Sequence, residues 1–163
     1  MRTKLFYGLL LNLFCTIACI ETYAQTLRDT FTVNDIEYEV IVVGTPNQVS
    51  AIDYIGTGTA VTIPETVTDS NSIIYDVTRI GTQAFYDGLL ESVVIGNNVT
   101  TIGNNAFKEN SISALTLGES VTSITYAAFS DNELTNIIIP ASVTTFGAYA
   151  FRSNPLTTVE LKN

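Results

Sequence analysis

Apolar residues recur every 22 positions through the second half of the chain. An Ala-Phe pair marks the period most clearly, and its aromatic members are Phe85, Phe107, Phe129 and Phe151. In the second copy, the apolar columns are occupied by Val99, Ile102, Ala106, Phe107, Ile112, Leu115 and Leu117. Seven columns in register over four copies indicate a repeat architecture in which neighbouring units stack and bury each other's apolar side chains.

The spacing inside one repeat predicts two extended segments and a turn. In Val93-Val94-Ile95, alternation directs Val93 and Ile95 inward and Val94 outward, so stacked copies build a parallel sheet. A second extended stretch covers residues 99–102, and the Ala-Phe step is predicted to be one short helical turn. A period of 22 lies within the range of about 20 to 29 residues that leucine-rich repeats use. The predicted fold is therefore mainly β, a right-handed leucine-rich-repeat solenoid with stacked parallel strands and short helical turns.

Two further columns predict close contacts between copies. One follows the second extended stretch, where a residue without Cβ helps the chain turn, and it contains Gly81, Gly103, Thr125 and Gly147. The other lies three residues after each phenylalanine and contains Gly88, Asn110, Asn132 and Asn154. Stacked asparagines can bond main-chain groups that a tight turn leaves unpaired, so we interpret this column as structural.

The region before the repeats has strand patterns without the 22-residue period. The turn pair Asn34-Asp35 separates two alternating apolar segments and predicts a hairpin. The segment Val61–Pro64 resembles the strand end of a repeat, and the extra residues around Asp69 predict a second hairpin. We interpret residues 25–76 as an N-terminal β-hairpin cap with a degenerate first coil, and residues 77–163 as the solenoid.

The first 24 residues have the features of an export signal. Arg2 and Lys4 precede an apolar run over residues 5–20, and Thr22-Tyr23-Ala24 places small residues where a signal peptidase reads them, which predicts cleavage after Ala24. The run is shorter than the roughly 20 residues that a membrane span needs, so we expect no span in the mature chain. A lipoprotein cleavage box with lipidation at Cys19 is the alternative.

Removal of this segment changes the composition in two ways. Both cysteines are lost, so the mature chain has no disulfide and its stability must come from packing. Five basic and fifteen acidic residues remain, which gives a formal charge of −10. Such a charge argues against nucleic acid or an anionic membrane surface as a partner.

The segment Val-Thr-Thr-Ile-Gly-Asn-Asn-Ala-Phe, from Val99 to Phe107, resembles the BspA-type leucine-rich repeats of bacterial surface proteins. The resemblance extends over roughly Val77 to Leu161. It implies an exported, extracellular protein with a role in adhesion or protein binding, and it supplies no catalytic residues. The sequence departs from the pattern at Thr125, Pro140 and Phe146, and none of these changes removes a core residue type.

Few residues of the chain could carry catalysis or hold a cofactor. The sequence has no histidine and the mature chain no cysteine, which excludes the usual nucleophilic triads. Asp87, Glu109 and Asp131 align two residues after a core phenylalanine, so a carboxylate glycosidase is the distant enzymatic alternative. We interpret this ladder as a solvated turn. Calcium is the only metal that these oxygen ligands suit, and because no calcium-loop motif accompanies them we expect no metal and no cofactor.

A binding role fits the outward-facing strand residues better. Two predicted columns form a mixed, mildly apolar sheet face, namely Val94, Thr116, Ile138 and Glu160 and, beside them, Ser92, Ala114, Asn136 and Thr158. Because the chain has no tryptophan, this face favours a protein partner, such as a host or matrix protein, over a glycan. A structural spacer within a larger repeat protein is the noncatalytic alternative. Tyr126 and Tyr149 are expected to be partly buried against an adjacent coil.

The last repeat lacks any apparent cover for its apolar columns. Leu156, Val159 and Leu161 complete a strand that has no following copy, and such an edge promotes association. We therefore expect that the chain is a piece of a longer protein, or that a partner or a second copy covers this end by end-to-end association.

Overall fold

The computed structural model describes residues 28–163 as β-strands joined by turns, without a helix in that range. The predicted signal peptide and Cys19 lie outside the described residues. The strands are β1 (Thr30–Val33), β2 (Ile36–Val42), β3 (Asn47–Tyr54), β4 (Ala60–Ile63), β5 (Thr66–Thr68), β6 (Ile74–Ile80), β7 (Ser92–Ile95), β8 (Thr101–Ile102), β9 (Ala114–Thr116), β10 (Ser123–Ile124), β11 (Asn136–Ile139), β12 (Thr145–Phe146) and β13 (Thr158–Leu161). The prediction of a mainly β fold is confirmed.

The second extended segment of each repeat belongs to one continuous sheet. Its strands follow the order β1-β2-β3-β6-β8-β10-β12, and the pairs from β6 onward are parallel. The register aligns Ile80 with Ile102, Ile102 with Ile124, and Ile124 with Phe146. Strands of successive repeats therefore pair in parallel with the 22-residue spacing of the sequence.

The first extended segment of each repeat forms two separate sheets. Strands β4, β7 and β9 pair in parallel, with Val93 opposite Val61 and Leu115. Strands β11 and β13 form another parallel pair, with Ile137 opposite Val159. No ladder joins β9 to β11, and nearly all Cα–Cα distances between these two strands exceed 8 Å. The prediction of one uninterrupted parallel sheet is wrong at this point.

Pro140, directly after β11, supplies the physical reason for the interruption. At the equivalent positions, Gly96 and Lys162 donate their N–H groups to the preceding repeat, at 2.8 and 2.9 Å, Gly118 forms no such bond, and proline has no N–H to donate. Glycine at this position also permits very close stacking, since a Cβ on Gly118 would overlap the carbonyl group of Gly96. A proline ring cannot approach the preceding repeat as closely, so β11 lies away from β9.

The predicted apolar columns fill the interior of the first three repeats, whereas Phe146, Val159 and Leu161 of the last repeat are exposed. Along β7, Val93 and Ile95 are 1% and 2% exposed, whereas the outward Val94 is 40% exposed. The aromatic rings of Phe85, Phe107, Phe129 and Phe151 stack in sequence, with centroid distances of 4.8, 5.1 and 5.4 Å. The rings of Phe85, Phe107 and Phe129 are buried and Phe151 is partly buried, so the column places a large side chain of every repeat in contact with its neighbours.

The Ala-Phe step is a pair of left-handed turns, and the prediction of a helical turn is wrong. The residues two before and two after each phenylalanine have φ between 50° and 62°, and they are Gln83, Asn105, Ala127 and Tyr149 and then Asp87, Glu109, Asp131 and Ser153. The Phe107 N–H donates to the Ala128 carbonyl of the next repeat at 2.8 Å. A helix would use this N–H within its own segment, so bonding between repeats excludes it.

The glycine column is needed for close approach and not for an unusual φ. None of the described glycines has a positive φ, but a Cβ on Gly103 would lie 2.6 Å from the carbonyl carbon of Gly81. In the third copy, threonine occupies the glycine position, and the Oγ1 of Thr125 donates a hydrogen bond to the Ile102 carbonyl of the preceding repeat at 2.9 Å.

The asparagine column has the predicted structural role. Asn132 is 6% exposed, and its Oδ1 accepts from the Ile112 N–H at 3.0 Å. Its Nδ2 donates to the carbonyls of Phe107 and Phe129, at 2.9 and 3.2 Å. Asn110 and Asn154 repeat these contacts one unit earlier and one unit later. Each asparagine thus joins two repeats through main-chain groups that would otherwise be unpaired.

The region before the repeats contains both predicted hairpins. Strands β1 and β2 are antiparallel around Asn34 and Asp35, whose φ values of 49° and 62° suit a two-residue turn of type I′. Strands β5 and β6 form the second hairpin, and β3 pairs with β6 in parallel. Burial of the β2 side chain Tyr38 in this region raises its pKa to about 12. Antiparallel pairs therefore precede the first parallel repeat contact.

Candidate partner-binding surfaces

The predicted sheet face is present, but it is divided between two sheets. Ser92, Val94, Ala114 and Thr116 lie on β7 and β9, and Asn136, Ile138, Thr158 and Glu160 lie on β11 and β13. Seven of these eight residues are exposed and Ser92 is half-buried. The largest apolar side chains among them are Ile138 and Val94, which are 54% and 40% exposed. The face therefore combines exposed apolar groups with hydroxyl, amide and carboxylate groups.

A cleft between β9 and β11 interrupts this face. Its volume is about 250 Å³, and apolar side chains of Leu115, Leu117 and Ile138 contribute to its wall. Leu115 is half-buried there, although the equivalent residues of the neighbouring repeats are buried. An ion pair between Glu119 and Lys162, 2.6 Å long, spans one end of the cleft. The departure at Pro140 was the sequence signal that could have located it.

Three tyrosines are exposed on the turn face, which we define as the outer surface of the Ala-Phe turns. Tyr86, Tyr126 and Tyr149 are 39%, 48% and 54% exposed. About half of the surface of Tyr126 and of Tyr149 is covered, which agrees with the expected partial burial against an adjacent coil. The two rings belong to neighbouring repeats and contact each other edge to face, with centroids 5.7 Å apart.

Charged side chains surround these rings. Lys108 Nζ lies 2.6 Å from Glu109 and 3.9 Å from Asp131. Hydrogen bonds from Lys108 and then from the Tyr86 hydroxyl hold the pKa of Glu109 below its usual value. Hydrogen bonds from the hydroxyls of Ser130 and Ser153 likewise lower the pKa of Asp131. Both carboxyl groups are therefore ionised at neutral pH.

The residues of the carboxylate ladder lie in the turns of successive repeats. Asp87, Glu109 and Asp131 each have a left-handed backbone, with φ of 52°, 60° and 58°, a conformation that aspartate adopts more readily than most residues. A glycosidase needs one carboxyl group with a raised pKa to donate a proton, whereas the pKa values of Glu109 and Asp131 are lowered. Within residues 28–163, no cluster of three acidic side chains is arranged to hold a metal ion.

A β-repeat of 22 residues with parallel strands between successive copies defines a leucine-rich repeat protein. The chain belongs to the family of the BspA type leucine rich repeat region, whose model matches residues 78–163 in six copies. Proteins of this family are bacterial surface proteins and are generally not enzymes. Their repeats suggest a role in protein interaction.

Solved structures of leucine-rich repeat proteins have the same fold. A leucine-rich repeat protein from Bacteroides capillosus is 33% identical, with a TM-score of 0.74 over 82% of this chain and 99% of that one. The T. pallidum leucine rich repeat protein is 22% identical, with a TM-score of 0.61 over 80% of this chain and 71% of that one. A Bacteroides ovatus leucine-rich repeat protein is 23% identical, with a TM-score of 0.57 over 80% of this chain and 40% of that one.

A search of curated protein sequences finds no match. The part of the chain that the structure describes contains no helix long and apolar enough to cross a membrane.

Proposed function

We propose that this chain is a noncatalytic protein-interaction module, exported to the cell surface or the medium, with a role in adhesion. In this proposal, residues 1–24 are a signal peptide, residues 25–76 cap the first coil, and residues 77–163 form a right-handed solenoid. The antiparallel strands β1 and β2 support the cap, because they precede the first repeat strand in the sheet order. The 22-residue register of β6, β8, β10 and β12 supports the solenoid.

The observation that carries the proposal is the exposed sheet face with its central cleft. Ile138 lies on this face and lines the cleft, next to the partly exposed Leu115. Protein interfaces gain most of their binding energy from a few apolar or aromatic anchors at the centre, within a polar rim. Thr116, Asn136 and Glu160 supply such a rim around Ile138.

The main chain around the cleft favours an extended protein segment as the ligand. Strands β9 and β11 each pair on one side only, so N–H and C=O groups of Ala114–Thr116 and of Asn136–Ile139 face the opening without a ladder partner. Unpaired strand edges bind extended peptides by adding a strand. A partner segment would gain main-chain hydrogen bonds there, and Ile138 would contact its side chains.

Surface plasmon resonance against a panel of purified extracellular-matrix proteins tests this function. We expect at least one matrix protein to bind the full mature chain, and Ile138→Glu to weaken that binding at least about tenfold by placing a charge in the contact. Ile74→Glu is the matched control, because Ile74 is 62% exposed on β6, away from the cleft. Absence of binding to every matrix protein, or equal losses in both variants, would favour the structural spacer.

A further inference from the structure

A second surface, on the turn face, has the composition of a small polar binding site. A groove of about 270 Å³ lies between the turns of the last three repeats. Its walls include the two exposed rings of Tyr126 and Tyr149. Polar and charged side chains form most of the remaining wall, and those used below are Asn105, Lys108, Asp131 and Arg152.

The rings of Tyr126 and Tyr149 offer two flat apolar surfaces that are nearly perpendicular to each other. Their planes meet at 82°, so the face of one ring and the face of the other form two adjacent walls. The Arg152 guanidinium lies 5.1 Å from the centre of the Tyr149 ring, which orients both groups. An aromatic face beside hydrogen-bonding groups suits a ligand that has both a C–H surface and hydroxyl groups.

The charges of the groove favour a ligand without net charge. Lys108 is paired with Glu109, at 2.6 Å, and lies 3.9 Å from Asp131. With Arg152, the local charges sum to zero, so neither an anion nor a cation meets an excess of opposite charge. The strongly acidic chain adds further repulsion for phosphates and carboxylates.

The polar groups that remain available both donate and accept hydrogen bonds. Among the described residues, Arg152 has no ion-pair partner within 4.0 Å and the side chain of Asn105 forms no hydrogen bond, so both can bond a ligand. Asp131 accepts hydrogen bonds from the hydroxyls of Ser130, at 2.7 Å, and Ser153, and its carboxylate keeps lone pairs for another donor. Each sugar hydroxyl is at once a donor and an acceptor, which matches this mixture of groups.

We propose that the groove between Tyr126, Tyr149, Asp131 and Arg152 binds a neutral sugar unit of a glycan. Tyr126 or Tyr149 contacts the C–H face of the sugar, and Asp131, Arg152 and Asn105 bond its hydroxyl groups. The site lies on the turn face, apart from the cleft beside Ile138, so each surface can be tested without disturbing the other.

Saturation-transfer NMR on the mature chain with D-glucose, D-galactose, D-mannose, N-acetyl-D-glucosamine and lactose tests the proposal. We expect at least one of these sugars to bind, with a Kd on the order of 1 mM, a value typical of a small ligand with few contacts. Absence of a transfer signal for all five sugars at 10-fold this concentration, about 10 mM, would overturn it.

Variants identify the site. Tyr149→Ala and Asp131→Asn should each raise the Kd at least about tenfold, whereas Tyr149→Phe should preserve binding because it keeps the ring. Tyr86→Ala is the matched control, since Tyr86 is exposed on the same face but does not line the groove. Equal losses in Tyr86→Ala, or full binding by Tyr149→Ala, would contradict the assignment. A thermal melt equal to that of the parent chain excludes unfolding as the cause.

Binding of a charged ligand is the competing result. A poly-glutamate peptide and a poly-lysine peptide, each added in the same assay, should leave the saturation-transfer signal of the bound sugar unchanged. Loss of this signal on addition of either peptide would indicate a protein segment as the ligand and would overturn the proposal of a glycan site. An unchanged signal with both peptides supports it.

Discussion

The turn side and the strand side of each repeat differ in how regularly they contact the next repeat. On the turn side, the phenylalanine rings remain 4.8 to 5.4 Å apart through all four copies, and the asparagine column joins every pair of neighbours. On the strand side, the ladder ends at β9 and begins again at β11. Large interior side chains therefore determine that repeats stack, while small main-chain contacts determine whether their strands pair.

The difference follows from what each side requires of its residues. The turn side needs a large apolar side chain to fill the interior and a side-chain amide to bond the main chain. Phenylalanine is present in every copy and asparagine in all but the first. On the strand side, neighbouring repeats approach closely after each strand, and the ring of Pro140 is bulkier there than Gly96 or Gly118. A single position thus opens a cleft without disturbing the core, and the opening coincides with the proposed partner site.

Removal of one ring from the stack should have the largest effect. Phe107→Ala deletes a fully buried ring with neighbours on both sides and should lower the free energy of unfolding by about 3 to 5 kcal/mol. Phe151→Ala is the control, because Phe151 is only partly buried and has one stacked neighbour. Urea denaturation measures both values. Equal losses would show that the continuous stack is not what stabilises the turn side.

Removal of an asparagine from its column should have the next largest effect. Asn132→Ala leaves the Ile112 N–H and the Phe107 carbonyl without their partners in a buried environment, at an expected cost of about 1 to 3 kcal/mol. Asn136→Ala is the control, since Asn136 is exposed on β11 and bonds only its neighbour Thr135. A loss below about 0.5 kcal/mol for Asn132→Ala would contradict the structural role of the column.

The sequence predicted what depends on periodicity. The inward columns, the parallel register, both hairpins and the asparagine contacts all follow from residue types that recur at fixed spacing or in a known turn. The turn of type I′ at Asn34-Asp35 is such a case, because few residue pairs adopt positive φ twice in succession.

The sequence could not predict what depends on contacts between copies. The Ala-Phe step resembles a helical turn locally, but its N–H groups bond the next repeat, and that competition is invisible in one copy. Pro140 was a visible departure, yet its consequence required the distance between Gly96 and Gly118.

A methyl group at Gly118 should interrupt the pairing of a second pair of strands, β7 and β9. Gly118→Ala places a Cβ against the Gly96 carbonyl and should separate β9 from β7. Overpacking of this kind costs about 1 to 3 kcal/mol, and we expect about 1 kcal/mol because β9 has no strand on its other side to prevent movement. Hydrogen exchange should become faster in β9 and remain unchanged in β8. Unchanged exchange in β9 would contradict the spacing argument.

Replacement of Pro140 should have the smallest effect on stability and the most specific effect on pairing. Pro140→Gly restores the N–H group and the small size found at Gly96, so β9 and β11 should pair. One net hydrogen bond contributes about 1 kcal/mol, but glycine also makes the unfolded chain more flexible by a similar amount, so thermal melts should change little. Hydrogen exchange at the β9 and β11 amides should instead slow on the order of tenfold.

Pro155 provides the matched control for this exchange measurement. It also lacks the N–H that the equivalent Ser111 and Glu133 donate to the preceding repeat, each at 3.0 Å, yet β11 and β13 pair over four residues. A missing donor alone therefore does not separate strands, and the bulk of the ring at the close-approach position after the strand must contribute. Pro155→Gly should leave exchange in β9 and β11 unchanged. Equal slowing in both variants would show that the change in exchange is not specific to position 140. No slowing in Pro140→Gly would show that Pro140 does not open the cleft.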